Sequence, residues 1–525
     1  MRRLPIPTRT WSIQPSCGLT ASLGFSSACC RNLTRHRSPR YDRLKKWSNT
    51  WKACPTLPRW YACSLHHAHN GSPMDKTLQR LAHFVHTARF EQLTPEAVRE
   101  CKRRVIDSVA CAAAAYPEPF CERLRTFAQQ SQGTPSARIW GSGAAASLEM
   151  AAFVNGTMLR YLDFSDTYLS QSAGHPSDMI GGLVAVAEAH HLSGKALLNA
   201  IAVAYEIYCG LCDAVALQPH AIDQATCAAV GTAAGVANLL CLNLGQTAQA
   251  LSLALTPNLH LYNVRCGALS DWKGCAGPNA ARNGVFAALL AQADVTGPTA
   301  PVEGKGGLFG VVEAFDWHVG MRAHPLINDT HLKYHPVCYH GQSAIDAALK
   351  LRGSVEPDQI DDIHVETYEA SFRVMGSDKQ SWHPTTRETA DHSLPYTIAV
   401  ALLDGKLTSQ AYEPDRLSDP RTLALVAKVR VSHAPELSKN YPSSSQTRIT
   451  IRTRTGEVLS HLQEQPKGHA SNPLSDTELA SKFIELFAPL GDAQAARQTL
   501  AILNTIEQLT DVSTLVDAVC MPPAP

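Results

Sequence analysis

Long helical segments rich in alanine and glycine, between residue 94 and about residue 330, constrain the fold of this 525-residue chain most. The stretch "TPEAVRECKRRVIDSVACAAAA" has Thr94 at a helix N-cap, Pro95 at the first helical position and apolar residues at helical spacing. Because small side chains let neighbouring helices approach closely, this part of the chain predicts a large, tightly packed helical domain.

Two further stretches each predict a pair of helices. "PSDMIGGLVAVAEAHHLSGKALLNAIAVAYEIYCGL" is interrupted by the turn "LSGK", and "GTAAGVANLLCLNLGQTAQALSLAL" is interrupted near "LNLG". The richest apolar run, "NAIAVAYEIYCGLCDAVAL", carries Glu206 and Asp213. Those two acids favour a buried helix over a membrane span.

The hydrophobic period changes after about residue 335. "DDIHVETYEASF", "AKVRVSH" and "TRITIRTRTGEVLSH" alternate apolar and polar residues as strands do, and "RTG" predicts a hairpin turn. Helical spacing returns in "NPLSDTELASKFIELF", which begins with a capping box from Ser475 to Glu478. We therefore expect a mainly α protein with a helical domain over residues 76–334 and 472–520 and a smaller α+β lid domain over residues 335–471.

Residues 1–73 differ from the rest of the chain because they are rich in arginine and contain Asp42 as their single acid. This composition is typical of a mitochondrial transit peptide. Alternatively, Met74 starts the protein and the leader is an extension. The expected location is mitochondrial if the leader is used and cytosolic if it is not.

Composition and cysteine spacing narrow the partners and cofactors. Hydrophobic residues make up 45% of the chain, charged residues 18%, and the net charge is +1, so neither nucleic acid nor a membrane is an expected partner. Cys209 and Cys212 form a C-x-x-C motif, but no second pair lies at a spacing typical of zinc sites. We therefore expect both to be buried thiols that pack as small hydrophobic side chains. With Cys275 they could hold an iron–sulfur cluster, but nothing around them resembles a cluster loop, so no metal and no cofactor are expected.

The stretch "YLDFSDTYLSQSAGHPSD" is the main candidate for catalytic residues. A helix continued through it would place Asp163 and Thr167 on one face, and the following "GHP" turn would hold His175 opposite them. Such a set suits general acid–base catalysis. Alternatively, Asp163 or Asp166 merely caps the next turn.

Cations from other segments suit a small polycarboxylate substrate. In "NVRCGALSDWKGCAGPNAARNG", Arg265 and Lys273 lie among small residues, where a cation usually has an anionic partner. For Lys273 we expect that partner to be a substrate carboxylate rather than a protein acid. Two later stretches, "HLKYHPVCYHGQSA" and "TRETADHSLPY", add the candidates Lys333, His335, Tyr339, His340, Arg387, Asp391 and His392.

The chain resembles the MmgE/PrpD family from about residue 76 to 515. The similarity rests on "RYLDFSDT", "GHPSD", "WKGCAGPNAARNG", "TGPTAPVEGKGGLF", "YHPVCYHGQSA", "TRETADHSLPY" and "NPLSDTELASKF", in that order. The resemblance implies a large helical domain with an α+β lid, a homodimer, and an activity such as 2-methylcitrate dehydration or cis-aconitate decarboxylation.

The resemblance also implies roles by position. Asp163, Thr167 and His175 match the family's active-site "D-x-x-x-T…HP" residues. Lys273 matches a carboxylate-binding lysine, and Lys333 matches a second basic residue at the lid boundary. From the cation-rich stretches themselves, Arg265, His335, Tyr339 and His340 join Lys333 as the expected substrate-binding residues.

Departures from the family pattern concern the substrate. Cys338 stands where animal-type decarboxylases carry a histidine, and Phe372 lies near their late tyrosine, which argues against decarboxylation. Ala173 and Met179 stand where methylcitrate dehydratases have a tryptophan and a polar residue, so an enlarged apolar pocket is expected. Similar enzymes in fungal anhydride pathways dehydrate citrates with long alkyl chains.

These inferences lead to one expected function and two alternatives. We expect a cofactor-independent hydro-lyase that dehydrates a small tricarboxylate, either 2-methylcitrate or a longer 2-alkylcitrate, to the 2-alkyl-aconitate, with a place in propionate metabolism or fungal secondary metabolism. The alternatives are a cis-aconitate decarboxylase and a catalytically silent binding protein on the same fold.

Overall fold

The computed structural model describes residues 74–520 with the exception of Ala268 and Met321. The predicted leader, residues 1–73, therefore lies outside the described residues. Helix makes up 57% of the structure and strand 10%, so the expected mainly α class is confirmed.

The first part of the chain is helical with two short hairpins. Its helices are α1 (Lys76–Thr87), α2 (Pro95–Ala115), α3 (Pro119–Ala128), α4 (Leu148–Tyr161), α5 (Ile180–Ala189), α6 (Gly194–Ala214), α7 (Ala225–Leu239), α8 (Leu244–Leu255) and α9 (Trp272–Gln292). The hairpins pair β1 (Ser136–Arg138) with β2 (Ala145–Ser147) and β3 (Tyr168–Leu169) with β4 (Ala173–Gly174).

The predicted helix starts are confirmed by their caps. The Thr94 hydroxyl accepts a hydrogen bond from the amide of Ala97 at the start of α2. Ser193 caps α6 and Asn243 caps α8 in the same way, at the two turns expected from "LSGK" and "LNLG". Helix positions set by such local signals depend little on the rest of the chain.

Small residues let α9 pack closely against its neighbours, as the sequence predicts. A Cβ added at Gly277 would lie 1.8 Å from Oδ2 of Asp178, and one at Gly284 would lie 2.4 Å from the carbonyl oxygen of Ala229 in α7. Any larger side chain at either position would push α9 outward. This packing fixes the place of Lys273, which lies in the first turn of α9.

Helix α6 has the length and apolar composition of a membrane-spanning helix, and 89% of its apolar window is buried inside the protein. Its Glu206 forms a salt bridge with Arg322 and accepts a hydrogen bond from the amide of Leu326. The helix is therefore a core helix, as its two acids indicated.

The second part of the chain contains a mixed four-stranded sheet in the order β6-β5-β7-β8. The strands are β5 (Ile360–Thr367), β6 (Val429–His433), β7 (Thr447–Thr453) and β8 (Val458–Gln463). β5 pairs with β6 in parallel and with β7 antiparallel, and β7 and β8 form the predicted hairpin. The helices around the sheet are α10 (Gln342–Arg352), α11 (Glu369–Met375), α12 (Arg387–Ala390), α13 (Leu394–Asp404), α14 (Pro414–Leu417), α15 (Pro420–Val426) and α16 (Pro435–Ser438).

The strand predicted to run to residue 372 ends earlier. The amide of Phe372 donates to the carbonyl of Tyr368, so the chain turns into α11 directly after β5. That part of the prediction was wrong because "EASF" follows the alternating pattern only by coincidence of polar and apolar residues.

Three C-terminal helices return to the first part: α17 (Asp476–Leu486), α18 (Ala493–Asn504) and α19 (Ser513–Val519). The capping box from Ser475 to Glu478 starts α17 as predicted. One hydrophobic core joins residues 78–332 with residues 474–519, and a second contains residues 337–451. We propose that the two cores correspond to the predicted helical domain and lid domain.

Candidate active site

A cavity of about 460 Å³ is lined by residues from both parts of the chain, the one that contains the first hydrophobic core and the one that contains the second. Cavities of this size hold small ligands in many proteins. The predicted site residues that line it are Asp163, Thr167, His175, Arg265, Lys273, Tyr339 and His340.

The chain does not reach Asp163 and Thr167 as a continuous helix. Helix α4 ends at Tyr161, Asp163 has a left-handed backbone with a φ of 51°, and Thr167 forms an isolated antiparallel bridge with His331. The prediction of one helical face for the two residues was therefore wrong. A physical reason lies in Lys333, whose ammonium donates to the backbone carbonyl of Asp163 at 2.7 Å and so holds that carbonyl outside a helix.

Asp163 is the anionic centre of the site. Its Oδ1 accepts from Nη1 of Arg160 at 2.6 Å and from Nζ of Lys333 at 2.7 Å, and its Oδ2 lies 3.5 Å from Nζ of Lys273. Burial raises the pKa of this carboxyl, but the three cations outweigh burial and hold the pKa well below its usual value. Asp163 therefore stays ionised and positions cations rather than accepting a proton.

Asp166, not Asp163, caps the turn that carries His175. Oδ1 of Asp166 accepts from the amide of Ser177 at 2.9 Å, and its Oδ2 accepts from the hydroxyl of Tyr205. The amide of His175 in turn donates to the hydroxyl of Tyr208 at 2.8 Å. These bonds hold His175 on a bend ahead of a 3-10 turn, outside any α-helix, as the sequence predicts.

The protonation of His175 follows from its contacts. Nδ1 lies 2.8 Å from the carbonyl oxygen of Asp166. Because a carbonyl can only accept, Nδ1 carries the proton and Nε2 has a free lone pair. Burial lowers the pKa of His175 well below its usual value, and the charges of Arg160 and Lys333 lower it further. His175 is therefore a neutral imidazole in the cavity wall, the form that a general base requires.

Lys273 has a protein acid as its partner, so the expectation of a substrate carboxylate alone was wrong. Its ammonium donates to Oδ1 and Oδ2 of Asp391 at 2.8 and 3.0 Å, across 118 residues of sequence. The side chain of Lys273 is only 4% exposed, and an ammonium so deeply buried needs a permanent counter-charge.

His392 carries the opposite charge state from His175. Its Nδ1 donates to Oδ1 of Asp391. Burial and the charge of Lys273 lower the pKa of His392, but Cys338 and Asp391 outweigh them and raise it to about 9. His392 is therefore an imidazolium at neutral pH, and it lines the same cavity as His175.

Arg265, Tyr339 and His340 were predicted to bind substrate, and all three line the cavity. Each of them also contacts another side chain of the protein. Arg265 binds both carboxylate oxygens of Asp223 at 3.0 and 3.3 Å. Nδ1 of His340 lies 2.8 Å from the hydroxyl of Tyr368, and burial lowers the pKa of His340 to about 3. The ring of Tyr339 stacks on that of His331.

The two remaining substrate-binding predictions need correction, because neither Lys333 nor His335 is in the cavity wall. Lys333 is fully buried and donates to Asp163. Nε2 of His335 pairs with Oδ1 of Asp346 at 2.9 Å. Both side chains are directed to protein acids, which lie 170 residues away for Lys333 and 11 residues away for His335.

Sequence reasoning missed two basic residues of the cavity, Arg160 and Arg373. An arginine in the apolar run "AAFVNGTMLRYL" was a signal for Arg160, since it needs a buried acid. Arg373 carried no such signal because it directly follows the predicted strand and belongs to none of the stretches that suggested a site. The exposed guanidinium of Arg373 has no salt bridge within residues 74–520.

Three side chains of metal-ligand type lie together at the site: Asp163, Asp391 and His392 have ligand atoms within 4.8 Å of one another. Nζ of Lys273 lies 3.5 Å or less from each of them. The protein's own ammonium therefore supplies the positive charge there, and a metal ion would have to displace it. Among the described residues, this trio is the one group of side chains close enough together to hold a metal ion, and it contains no cysteine.

Two domain models of one known protein family match most of the chain. The chain matches the MmgE/PrpD N-terminal domain over residues 79–318 and the MmgE/PrpD C-terminal domain over residues 335–508. The chain belongs to the MmgE/PrpD family. The two matched regions meet close to where the two hydrophobic cores meet.

Similar proteins include dehydratases and a decarboxylase. A protein of Cupriavidus necator named 2-methylcitrate dehydratase is 28% identical, over 75% of this chain and 86% of the relative. One of Yarrowia lipolytica, named mitochondrial 2-methylcitrate dehydratase, is 25% identical, over 75% and 80%. The cis-aconitate decarboxylase of mouse is 24% identical, over 83% and 92%.

The ionic cluster predicts that Asp163→Asn destabilises the protein. The substitution keeps the shape and suits the left-handed backbone, but it leaves Arg160 and Lys333 buried with too little negative charge. Loss of one partner from a buried pair costs about 3–5 kcal/mol, so the melting temperature should fall by several degrees in a thermal scan.

The matched control is Asp361→Asn. Asp361 pairs with Arg452 at the surface, where both side chains are more than half exposed. The melting temperature of the Asp361→Asn variant should therefore hardly change. Equal melting temperatures for Asp163→Asn and the unmodified protein would contradict the structural role of Asp163.

Proposed function

We propose that the chain is a hydro-lyase that removes water from 2-methylcitrate or a longer 2-alkylcitrate and forms the corresponding 2-alkyl-aconitate. The observation that carries the proposal is a pair of histidines in one cavity with opposite protonation states, neutral His175 and protonated His392. Titratable groups whose environments drive their pKa values apart are suited to the roles of base and acid.

The two histidines match the two proton transfers of the reaction. Nε2 of His175 takes the proton from the alkyl-bearing carbon next to a carboxylate, and the C–H electron pair forms the new double bond. The hydroxyl on the adjacent carbon leaves with its bonding electrons and takes a proton from His392, which releases water. Each transfer typically accelerates a reaction about 10²–10⁴-fold, and both use side chains of the chain itself.

Cations of the cavity support the carboxylates of the substrate. Lys273 and Arg265 are held by Asp391 and Asp223, so they stand in fixed positions before the substrate arrives. Preorganised charges stabilise the negative charge that develops on a carboxylate as its neighbouring carbon loses a proton. Arg373, without an acid partner in the described chain, is the cation best suited to bind a substrate carboxylate directly.

An apolar part of the cavity wall supports the alkylcitrate proposal. Ala173 and Leu169 of the β3–β4 hairpin line the cavity together with Leu269 and Val374. Met179 does not contribute as expected, because its side chain is fully buried beside Gly231 of α7. The space for an alkyl chain therefore depends on Ala173, and each methylene buried there contributes up to about 0.8 kcal/mol.

The residue at position 338 favours dehydration over decarboxylation of cis-aconitate. Cys338 lies in the cavity wall, where the resembling decarboxylases carry a histidine. A silent binding protein on this fold would not require two imidazoles of opposite charge state in the same cavity. The proposal extends to a homodimer acting in propionate or secondary metabolism, and to a mitochondrial location like that in the name of the Yarrowia relative.

Replacement of the base tests the proposed reaction. With 2-methylcitrate as substrate and alkene absorbance as readout, His175→Gln should lower kcat at least about 10²-fold, because the proton acceptor is lost. KM and the melting temperature should stay close to those of the unmodified protein. The control is His318→Gln, since His318 is 75% exposed and outside the cavity. Normal turnover by His175→Gln would refute its role as base.

The same assay predicts the pH dependence of kcat/KM. His175 must be neutral, so activity falls as the pH drops through its pKa, which lies below the usual value of about 6.5. His392 must be protonated, so activity falls as the pH rises through about 9. A profile with its basic limb near pH 7 would contradict the assignment of His392 as acid.

Arg373→Gln tests the direct carboxylate contact. A charge-assisted hydrogen bond contributes about 1.5–3 kcal/mol, so KM for 2-methylcitrate should rise about 10-fold to 100-fold, with a smaller change in kcat. The control Lys379→Gln removes the same charge from an exposed residue outside the cavity wall. Equal KM values for both variants would show that Arg373 does not bind the substrate.

Ala173→Trp tests the alkyl pocket. An indole ring in the cavity wall should exclude a long chain but still admit a methyl group. The kcat/KM for a hexyl homologue of 2-methylcitrate should therefore fall at least about tenfold more than that for 2-methylcitrate itself, given about 0.8 kcal/mol per methylene. A similar loss for both substrates would mean that the chain does not lie against Ala173.

A further inference from the structure

The hydroxyl of Tyr208 is a buried partner of the His175 backbone. Tyr208 lies in α6, and its side chain is fully buried. Its oxygen accepts a hydrogen bond from the amide of His175 at 2.8 Å. Because a hydroxyl can accept and donate at once, the same group also donates to Oε1 of Gln224. The hydroxyl therefore links the backbone of His175 to the residue directly before α7.

The hydrogen bonds continue from Gln224 back to His175. Nε2 of Gln224 donates to Oδ2 of Asp178 at 3.4 Å. The backbone amide of Asp178 donates to the carbonyl oxygen of His175 at 3.1 Å. Tyr208, Gln224 and Asp178 thus form a closed hydrogen-bond circuit that includes both backbone polar groups of His175.

Gly174 makes room for this circuit. A Cβ added at Gly174 would lie 2.1 Å from the hydroxyl oxygen of Tyr208 and 2.9 Å from Oε1 of Gln224. Any other residue at this position would displace one of the two polar groups. The glycine before His175 therefore permits the close approach of the hydroxyl to the backbone.

The imidazole of His175 is fixed by a separate contact. Its Nδ1 lies 2.8 Å from the carbonyl oxygen of Asp166. Asp166 is itself held by the amide of Ser177 and the hydroxyl of Tyr205. Hydrogen bonds of the fold thus hold both the backbone of His175 and one ring nitrogen, and together they determine the direction of Nε2.

We propose that Tyr208 is a positioning residue, which fixes the direction of Nε2 of His175 in the cavity through the hydrogen-bond circuit. The inference rests on the proposed function, since that function makes His175 the base. Tyr208 is not in the cavity wall, so it acts through His175 and not through contact with the substrate. Alignment matters for such a group, because a displacement of about 1 Å can lower a rate about 10²-fold.

Tyr208→Phe removes the hydroxyl and keeps the aromatic side chain. With 2-methylcitrate as substrate, kcat should fall about 10-fold to 100-fold, because His175 is no longer aligned, whereas KM should hardly change. The matched control is Tyr396→Phe, which also removes a buried hydroxyl bonded to a backbone group, the carbonyl of Ala411, outside the cavity wall. Its kcat should stay unchanged. Equal kcat values for the two variants would overturn the proposal.

A His175→Gln background separates positioning from a general effect on the fold. Without the base there is nothing to align, so Tyr208→Phe should cause no further fall in the residual kcat. An equal fold loss in both backgrounds would overturn the proposal. Gln224→Met breaks the circuit at another bond and should give the same pattern, so the test does not depend on the folding of one variant. An unchanged kcat in Gln224→Met would also contradict the proposal.

Hydrogen exchange distinguishes failure of this inference from failure of the proposed function. In Tyr208→Phe the amide of His175 has lost its acceptor, so it should exchange at least about tenfold faster, measured by mass spectrometry with peptide fragmentation. The amide of Ser177, which donates to Asp166, should exchange as before. Absence of 2-methylcitrate turnover in the unmodified protein, together with this exchange pattern, would refute the dehydration and not the circuit. Unchanged exchange at His175 would overturn the circuit whatever the substrate is.

Discussion

The buried carboxylate of Asp163 is the interaction on which the candidate site depends. Arg160, Lys273 and Lys333 come from three separate segments, and none of these cations could remain buried without a nearby anion. Their common partner determines where helix α4 ends and where the segment before α10 lies. Lys273 also binds Asp391 of the second part of the chain, so one buried ion pair joins the cluster to the residues around the second core.

The same cluster sets the protonation of the cavity. Arg160 and Lys333 add to burial in lowering the pKa of His175, whereas Asp391 and Cys338 raise that of His392. Two imidazoles in one cavity therefore differ in charge because their nearest neighbours differ. A proton acceptor and a proton donor are thus both present at neutral pH without any change in conformation.

Local signals in the sequence predicted the elements, whereas contacts between distant residues could not be read from it. The caps at Thr94 and Ser475 each involve atoms three residues apart, so their side chains identify them. Asp163 and Lys333 are 170 residues apart, and no local pattern indicates that they pair. The residue types around Asp163 and His175 led to the candidate site, but the partner of Lys273 was predicted wrongly because Asp391 comes from a distant segment.

Lys273 and Arg373, two cations of the cavity wall, differ in how their charges are balanced. Lys273 is neutralised by Asp391, so its burial does not depend on the substrate. Arg373 lines the cavity and is exposed, and an exposed guanidinium needs no protein acid because solvent can surround it. Under the proposed function, a carboxylate of the tricarboxylate pairs with Arg373, the cavity cation without an acid partner within residues 74–520, while Lys273 is already held by Asp391. Binding energy can then be used for orientation at the reacting carbons instead of for assembling the site.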